Sequence, residues 1–263
     1  MSSVFRFQQG DSPLLISVPH DGRDLPEDIR VRMTEAGLSI PDTDWHVAQL
    51  YDFAADMGAN VLIANYSRYV VDLNRPADDA GLYPGQISTG LCPLQTFAGE
   101  PLYRSGGVDE GEKAQRIEQY WLPYHAHIRD TLDTLRARHG FALLWDAHSI
   151  PSVVPRLFEG ELPELNLGSN SGASCDQGME AAVASVVTAS AFSTAINGRF
   201  RGGYITRHYG APGNGVHALQ LEIAQRAYMS EETGRFDAEK AEVLRATLRR
   251  MLGAFLTAMS RIQ

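Results

Sequence analysis

The sequence predicts an α/β protein of three layers, in which helices cover both faces of a mixed, mostly parallel central sheet. Stretches with strand character alternate along the chain with stretches of helical periodicity. Several strand stretches are continuously apolar, as in strands that are buried on both faces. The chain has 263 residues, 44% of them hydrophobic, and neither a repeat nor a Pro/Ser-rich linker divides it. One domain over residues 1–263 is therefore expected.

Apolar runs predict the strands. LLISVPH at 14–20 stops at Pro19, and NVLIAN at 60–65 and the opening stretch have the same character. YSRYVVDLNRP at 66–76 begins as a strand and breaks at Pro76. FALLWDAHS at 141–149 is bounded by polar residues, as expected for a central strand. Two further strands are expected in GGYITRHYG, 202–210, and HALQLEIA, 217–224.

Apolar residues at steps of three and four predict the helices. A helix at 44–58 is expected to stop at Gly58, and a long helix at 109–139 is expected to kink at Pro123 and end at Gly140. Small residues indicate a helix at 177–191. The last helix, about 237–260, has one apolar face that includes Leu248.

The overall charge excludes some functions. A formal charge of −9 and a pI near 5.3 argue against nucleic acid as the main partner. A small anion could still bind if a few arginines are well placed. The sequence has no apolar run long enough to span a bilayer, no apolar signal core at its start, and only two cysteines. A reducing, cytoplasmic setting is expected, and the oligomeric state is not indicated.

Two histidines close apolar strands. His20 follows LLISVP, and His148 follows FALLWDA. Parallel strands of an α/β sheet bring their carboxyl ends together, and imidazole is a common ligand of zinc. One such histidine is usually structural, but two at matching strand ends indicate a metal site with a third ligand. The candidates are Asp24, Asp42 and Asp44, although the last two could instead cap a helix.

A carboxylate lies within another apolar strand. Glu222 stands among Leu219, Leu221 and Ile223. Burial would raise its pKa, which suits a general base near neutral pH. The alternative is that the side chain points to solvent.

Arginines are grouped where an anion could bind. Asn74 and Arg75 end the stretch 66–76, and a guanidinium grips a carboxylate through two hydrogen bonds. Arg68 could face the same cleft or be solvated. The glycine-rich stretch 198–215 adds Arg199, Arg201 and Arg207, and it could be a basic loop around an anion or a hairpin with incidental charge.

Together these motifs resemble the N-formylglutamate deformylase family, which is related to the zinc carboxypeptidases and aspartoacylases. The resemblance runs from about residue 12 to 230, in the order of the family, and it rests on the following stretches: SVPHDGRDLP, DTDWHVAQLYD, YSRYVVDLNRP, DAHSIPS and GGYITRHYG with HALQLEIAQRAYM. It implies a zinc-exopeptidase-like fold and hydrolysis of N-formyl-L-glutamate to L-glutamate and formate, at the end of one route of histidine breakdown.

The resemblance also implies roles for residues. One zinc ion, or another divalent metal, is expected on His20, Asp44 and His148, with Glu222 as general base and Arg68 as a possible oxyanion donor. The expected substrate anchors are Asn74, Arg75 and Arg207. The carboxypeptidase relatives carry Glu three residues after the first histidine, where this chain has Arg23. The acidic ligand must then come from elsewhere. Deformylase-like sequences keep an acid at the start of the following helix, so the resemblance implies Asp44, with Asp24 as the alternative.

Two other functions remain open from the sequence. The enzyme could remove a different acyl group from another amino acid. The chain could also be a non-catalytic amino-acid-binding protein of the same fold.

Overall fold

A computed structural model of the chain describes residues 3–81 and 89–258. The strands are β1 (Phe5–Gln8), β2 (Leu14–Val18), β3 (Asn60–Ala64), β4 (Ala142–Ile150), β5 (Leu165–Gly168), β6 (Thr194–Ile196), β7 (Val216–Ala224) and a small hairpin of β8 (Met229–Ser230) and β9 (Arg235–Phe236). The α-helices are α1 (Glu27–Arg30), α2 (Glu35–Leu38), α3 (Val47–Leu50), α4 (Glu110–Arg116), α5 (Leu122–His139), α6 (Gln177–Thr188), α7 (Tyr204–Tyr209) and α8 (Ala238–Ala258). Short 3₁₀ segments occur at Asp52–Met57, Pro212–Asn214 and Gln225–Ala227, and a π-helical segment spans Ile117–Trp121.

The main sheet has the strand order β1-β3-β2-β4-β7-β5-β6. Its four middle strands, β3, β2, β4 and β7, are parallel to one another. β1 is antiparallel to β3, and β5 is antiparallel to β7. The prediction of a mixed, mostly parallel sheet is confirmed.

Helices cover both faces of this sheet. Along β2, Ile16 packs into the core on the side of α3, α6 and α8, where Leu248 lies, while Leu15 packs on the opposite side with Ile128 of α5 and Ile205 of α7. All five residues of β2 are buried, as its continuously apolar sequence requires. The three-layer prediction is therefore confirmed as well.

The predicted long helix contains an interruption. Between α4 and α5, the N–H of Leu122 donates to the carbonyl of Ile117, five residues earlier, which is π-helical geometry. Pro123, which has no N–H to donate, lies in the first turn of α5. Gly140 ends α5 in the left-handed conformation with φ of 82°, as predicted.

Three predictions of secondary structure are wrong. Residues 66–76 form turns and irregular backbone, apart from an isolated bridge at Tyr66. Residues 204–209 form helix α7, which Ile205 anchors in the core. Residues 44–58 form the short α3 and a 3₁₀ segment instead of one helix. Residues 259–260 of the predicted last helix lie outside the described residues.

No helix within residues 3–81 and 89–258 is both long and apolar enough to cross a membrane.

Candidate metal centre and active site

The functional side chains gather at the carboxyl ends of the four middle strands, where ligands bind in α/β sheets. His20 follows β2, and His148 lies near the end of β4. Glu222, near the end of β7, stands directly opposite His148 in the parallel register. The loop after β3 contributes Asp72 and Asn74. The predicted convergence of these strand ends is present.

Three buried side chains form a compact cluster. One ligand atom each of His20, Asp44 and His148 lies within 4.8 Å of the others, and the two imidazole centroids are 4.9 Å apart. Oδ2 of Asp44 is 3.1 Å from Nδ1 of His148 and 3.8 Å from Nδ1 of His20. Both imidazoles therefore present Nδ1 to the same carboxylate.

The loop that carries Asp44 is fixed to both strand ends. The N–H of Asp44 donates to the carbonyl of His20, and Oδ2 of Asp44 accepts from the N–H of Ser149. Asp42 is also buried, but its carboxylate accepts from the N–H of Phe97. Neither acid caps α3, whose first turn has no side-chain cap. The alternative ligand, Asp24, is exposed and lies outside the cluster.

The far nitrogen of each imidazole meets another carboxylate. Nε2 of His20 is 2.7 Å from Oδ1 of Asp72, and Nε2 of His148 is 3.0 Å from Oδ1 of Asp146. Carboxylates in this position fix the tautomer and ring orientation of a metal-ligating histidine. Sequence reasoning gave no role to either acid, although Asp72 shares a short polar segment with Asn74 and Arg75, and Asp146 lies two residues before His148.

The electrostatics of the cluster favour a cation. Burial and the Arg68 guanidinium lower the pKa of His20. For His148, burial opposes the charged form, but the carboxylates of Asp146 and Asp44 raise the pKa well above its ordinary value. Asp44 and Asp72 both have lowered pKa values, because their positively charged neighbours outweigh the cost of burial. The site is therefore rich in buried negative charge.

The donor set fits a divalent metal ion. Two imidazoles and one carboxylate are a common ligand set of catalytic zinc. Oδ1 of Asp44 is buried and has no hydrogen-bond partner. A buried carboxylate oxygen without a hydrogen bond is costly, and Nη1 of Arg68, which faces it, is 3.7 Å away and beyond hydrogen-bond distance. A cation held by His20, Asp44 and His148 would satisfy this oxygen.

Glu222 is buried in the same cavity, as the sequence predicted for a functional acid. Burial raises the pKa of its carboxyl group to about 8. Gln220, two residues earlier on the same face of β7, donates from Nε2 to Oε2 of Glu222 at 3.4 Å and accepts from the N–H of Gly203 through Oε1. Sequence reasoning did not single out Gln220, but the two-residue period of a strand could have found it.

Arg68 is also buried and lines the cavity. Its Nη2 donates to Oδ2 of Asp72 at 2.6 Å, and its Nη1 is 3.7 Å from Oδ1 of Asp44. The guanidinium stands over the ring of Phe97, 4.9 Å from the centroid. Of the two sequence alternatives, the structure shows the one in which Arg68 faces the cleft.

Asn74 and Arg75 line the cavity too. Arg75 donates from Nε and Nη2 to the backbone and side chain of Thr89, which fixes its planar fork. The amide of Asn74 already has partners within the protein: Oδ1 accepts from the N–H of Ile205, and Nδ2 lies 2.8 Å from Nε2 of His148. The role of Asn74 in substrate binding stays a prediction.

Arg199 and Arg207, both in the stretch 198–215, have different surroundings. Arg199 lines the cavity, and its Nε donates to the carbonyl of Leu157. Arg207 does not line it, and its Nε donates to the carbonyl of Gly202 at 2.7 Å.

The cavity itself is small, about 80 Å³, and half-enclosed. Apolar side chains form part of its wall, and these are Phe97, Ile150, Leu157 and Phe200. They narrow the space around the polar groups and help to exclude water.

Comparisons with known proteins show the family to which the chain belongs. A family model described as N-formylglutamate amidohydrolase matches residues 12–229. The chain is 50% identical to an N-formylglutamate deformylase of Pseudomonas putida and 49% identical to one of Pseudomonas aeruginosa, over 97% of each chain in both cases. Its fold is similar to the crystal structure of an N-formylglutamate amidohydrolase from Ralstonia eutropha JMP134, with a TM-score of 0.82, 23% identity and 97% of each chain covered. The chain therefore belongs to the N-formylglutamate amidohydrolase family.

Proposed function

We propose that this protein hydrolyses N-formyl-L-glutamate to L-glutamate and formate with the help of a divalent cation, expected to be zinc. The observation that carries the proposal is the cavity, in which a three-ligand cluster, a buried carboxyl group and arginines meet. The names of the two Pseudomonas relatives support the same reaction. This reaction would end one route of histidine breakdown in the cytoplasm, a reducing setting with which the free, buried Cys92 and Cys175 agree.

His20, Asp44 and His148 would hold the cation. When bound, it would supply a Lewis acid that polarises the formyl carbonyl and eases deprotonation of water at neutral pH. The hydrogen bond between Asp72 and Nε2 of His20 keeps this imidazole oriented towards Asp44, and the carboxylate of Asp146 lies 3.0 Å from Nε2 of His148. Asn74, through its contact with His148, supports the same arrangement.

Glu222 would move the proton. Its carboxylate takes a proton from the attacking water as the new carbon–oxygen bond forms. It then gives that proton to the amide nitrogen as the carbon–nitrogen bond breaks, which releases formate and the amine of glutamate. The hydrogen bond from Gln220 holds Oε2 in place during both steps.

Arg68 would stabilise the oxyanion that develops on the formyl oxygen. Its guanidinium is held by Asp72 and by the ring of Phe97, so it is in position before the reaction. A fixed positive charge in a water-poor cavity is worth more than the same charge in water.

Two arginines would bind the carboxylates of the substrate. Arg75 and Arg199 line the cavity, whereas Arg207 does not. We therefore assign the two carboxylates to Arg75 and Arg199, in place of the expected pairing with Arg207. The apolar wall at Phe97 and Leu157 favours a small acyl group such as formyl.

The test combines metal analysis with a product assay. Purified protein is expected to contain about one divalent ion per chain and to release formate from N-formyl-L-glutamate. N-formyl-L-aspartate and N-acetyl-L-glutamate are compared, and both are expected to react more slowly. Metal-loaded protein that releases no formate would contradict the proposal. Faster release of acetate than of formate would assign the enzyme to another acyl group.

A further inference from the structure

The interrupted long helix meets the wall of the active site. The π-helical segment Ile117–Trp121 ends at Trp121, and α5 follows with His125 one turn later. The two rings stack, with centroids 3.8 Å apart and planes 27° from parallel. π-helical turns often occur at functional sites, because they place side chains where a regular α-helix would not. Here the stacked pair faces the loop that carries Asn74 and Arg75.

Both rings donate a hydrogen bond to this loop. Nε1 of Trp121 donates to the carbonyl of Arg75, and Nε2 of His125 lies within hydrogen-bond distance of the carbonyl of Leu73, each at 2.9 Å. The carbonyl between them, that of Asn74, accepts from Nη1 of Arg75. Three successive carbonyls of an irregular segment are thus satisfied by side chains, which removes the freedom that such a segment would otherwise have.

The protonation state of His125 suits this role. A carbonyl oxygen only accepts, so Nε2 must carry the proton. Nδ1 lies 2.9 Å from the hydroxyl of Tyr209, which also donates to the backbone carbonyl of His125. Burial lowers the pKa of His125 to about 3, which keeps the ring neutral. The donor to Leu73 is therefore present across the whole physiological pH range.

The same segment is held from the opposite side by α7. The N–H of Ile205 donates to Oδ1 of Asn74 at 2.8 Å. A Cβ at Gly203 would lie 2.3 Å from Nδ2 of Asn74, so only glycine allows this close approach. Tyr209, at the end of α7, contacts His125. The π-helical segment and α7 therefore enclose the loop between them.

We propose that Trp121 and His125 are positioning residues that set the affinity of the enzyme for its dicarboxylate substrate by fixing the backbone on both sides of Asn74. This inference rests on the proposed function, in which Arg75 binds a substrate carboxylate. Neither ring belongs to the three-ligand cluster, so loss of either ring should weaken substrate binding without a loss of bound metal.

The experiment compares matched tryptophan variants. Trp121→Phe keeps an aromatic ring for stacking and removes the N–H donor to Arg75. Trp145→Phe removes a buried indole N–H in the same way, but that donor meets the hydroxyl of Tyr51 in the core. Affinity for L-glutamate is measured by calorimetry, and KM and kcat are measured by formate release. We expect Trp121→Phe to weaken glutamate binding and raise KM about tenfold, with kcat within about threefold of wild type. Trp145→Phe should leave the affinity for L-glutamate and KM unchanged.

A second pair of variants provides an independent test. His125→Gln keeps an N–H donor near the position of Nε2 and should bind glutamate nearly as wild type does, whereas His125→Leu should bind about tenfold more weakly. Equal glutamate affinity in the wild type and all four variants would overturn the inference, because the rings would then be merely structural. A wild type that binds glutamate but releases no formate would overturn the proposed function alone.

Discussion

Replacement of Glu222 by glutamine tests the proposed base, and the structure predicts two separable effects. The first concerns stability of the metal-free protein. Burial raises the pKa of Glu222 from 4.5 to about 8, so the folded state holds a proton that the unfolded state loses. The contribution of Glu222 to stability is fully present below pH 4.5 and is lost as the pH rises through 8. At 1.36 kcal/mol per pKa unit, the shift corresponds to up to about 5 kcal/mol.

The glutamine side chain cannot ionise, so Glu222→Gln avoids this loss. In denaturant titrations with a chelator present, the variant should be similar in stability to the wild type at pH 5 and more stable at pH 8. The difference in the free energy of unfolding between variant and wild type should grow steadily from pH 5 to pH 8. A difference that stays constant over this pH range would refute the buried, protonated state of Glu222.

The second effect of Glu222→Gln concerns turnover in the metal-loaded enzyme. Loss of the proton acceptor should reduce kcat by roughly 10²–10⁴-fold. Metal content should not change, because Glu222 lies outside the three-ligand cluster. Glu164→Gln is the control, since Glu164 accepts hydrogen bonds from Ser193 and does not line the cavity. Near-normal turnover in Glu222→Gln would refute its role as the base.

Three further outcomes are expected. Asp44→Asn should lose bound metal and activity, while Asp24→Asn should keep both; elemental analysis of the two proteins decides which acid is the ligand. Arg199→Met should raise KM about 10- to 100-fold through loss of a charge-assisted contact, whereas Arg207→Met should change KM less than about threefold. A larger rise in KM for Arg207→Met than for Arg199→Met would instead support Arg207 as the substrate anchor, as expected from the sequence. Removal of metal by a chelator should abolish formate release and lower the melting temperature, and added zinc should restore both; full activity after verified removal would contradict the metal role.

Local sequence patterns were sufficient to predict the middle of the sheet. The strand before His20 is continuously apolar, and the strands that carry His148 and Glu222 have apolar runs with an ionisable residue near the carboxyl end. The strand type and the polar ends could therefore both be predicted. The rule that ligands bind at the carboxyl ends of parallel strands then brought these residues together. The π-helical segment before Pro123 has no comparable sequence signal.

The errors occurred where distant contacts determine the conformation. The residues 204–209, with Tyr204, Ile205 and Thr206, have strand propensity, but the N–H of Ile205 meets Asn74, which is 131 residues away in sequence. Asp72 and Asp146 were not assigned roles, because only the folded geometry places them behind the imidazoles.

The position of the site within the sheet has a consequence for local unfolding. The margins of the sheet are β1, with four residues, and β6, with three, and each has only one neighbouring strand. Amide hydrogen exchange should be fastest there, since short marginal strands open before the centre does. Such fraying would leave β2, β4 and β7 paired. Both margins of the sheet could therefore unfold locally while the catalytic side chains stay assembled.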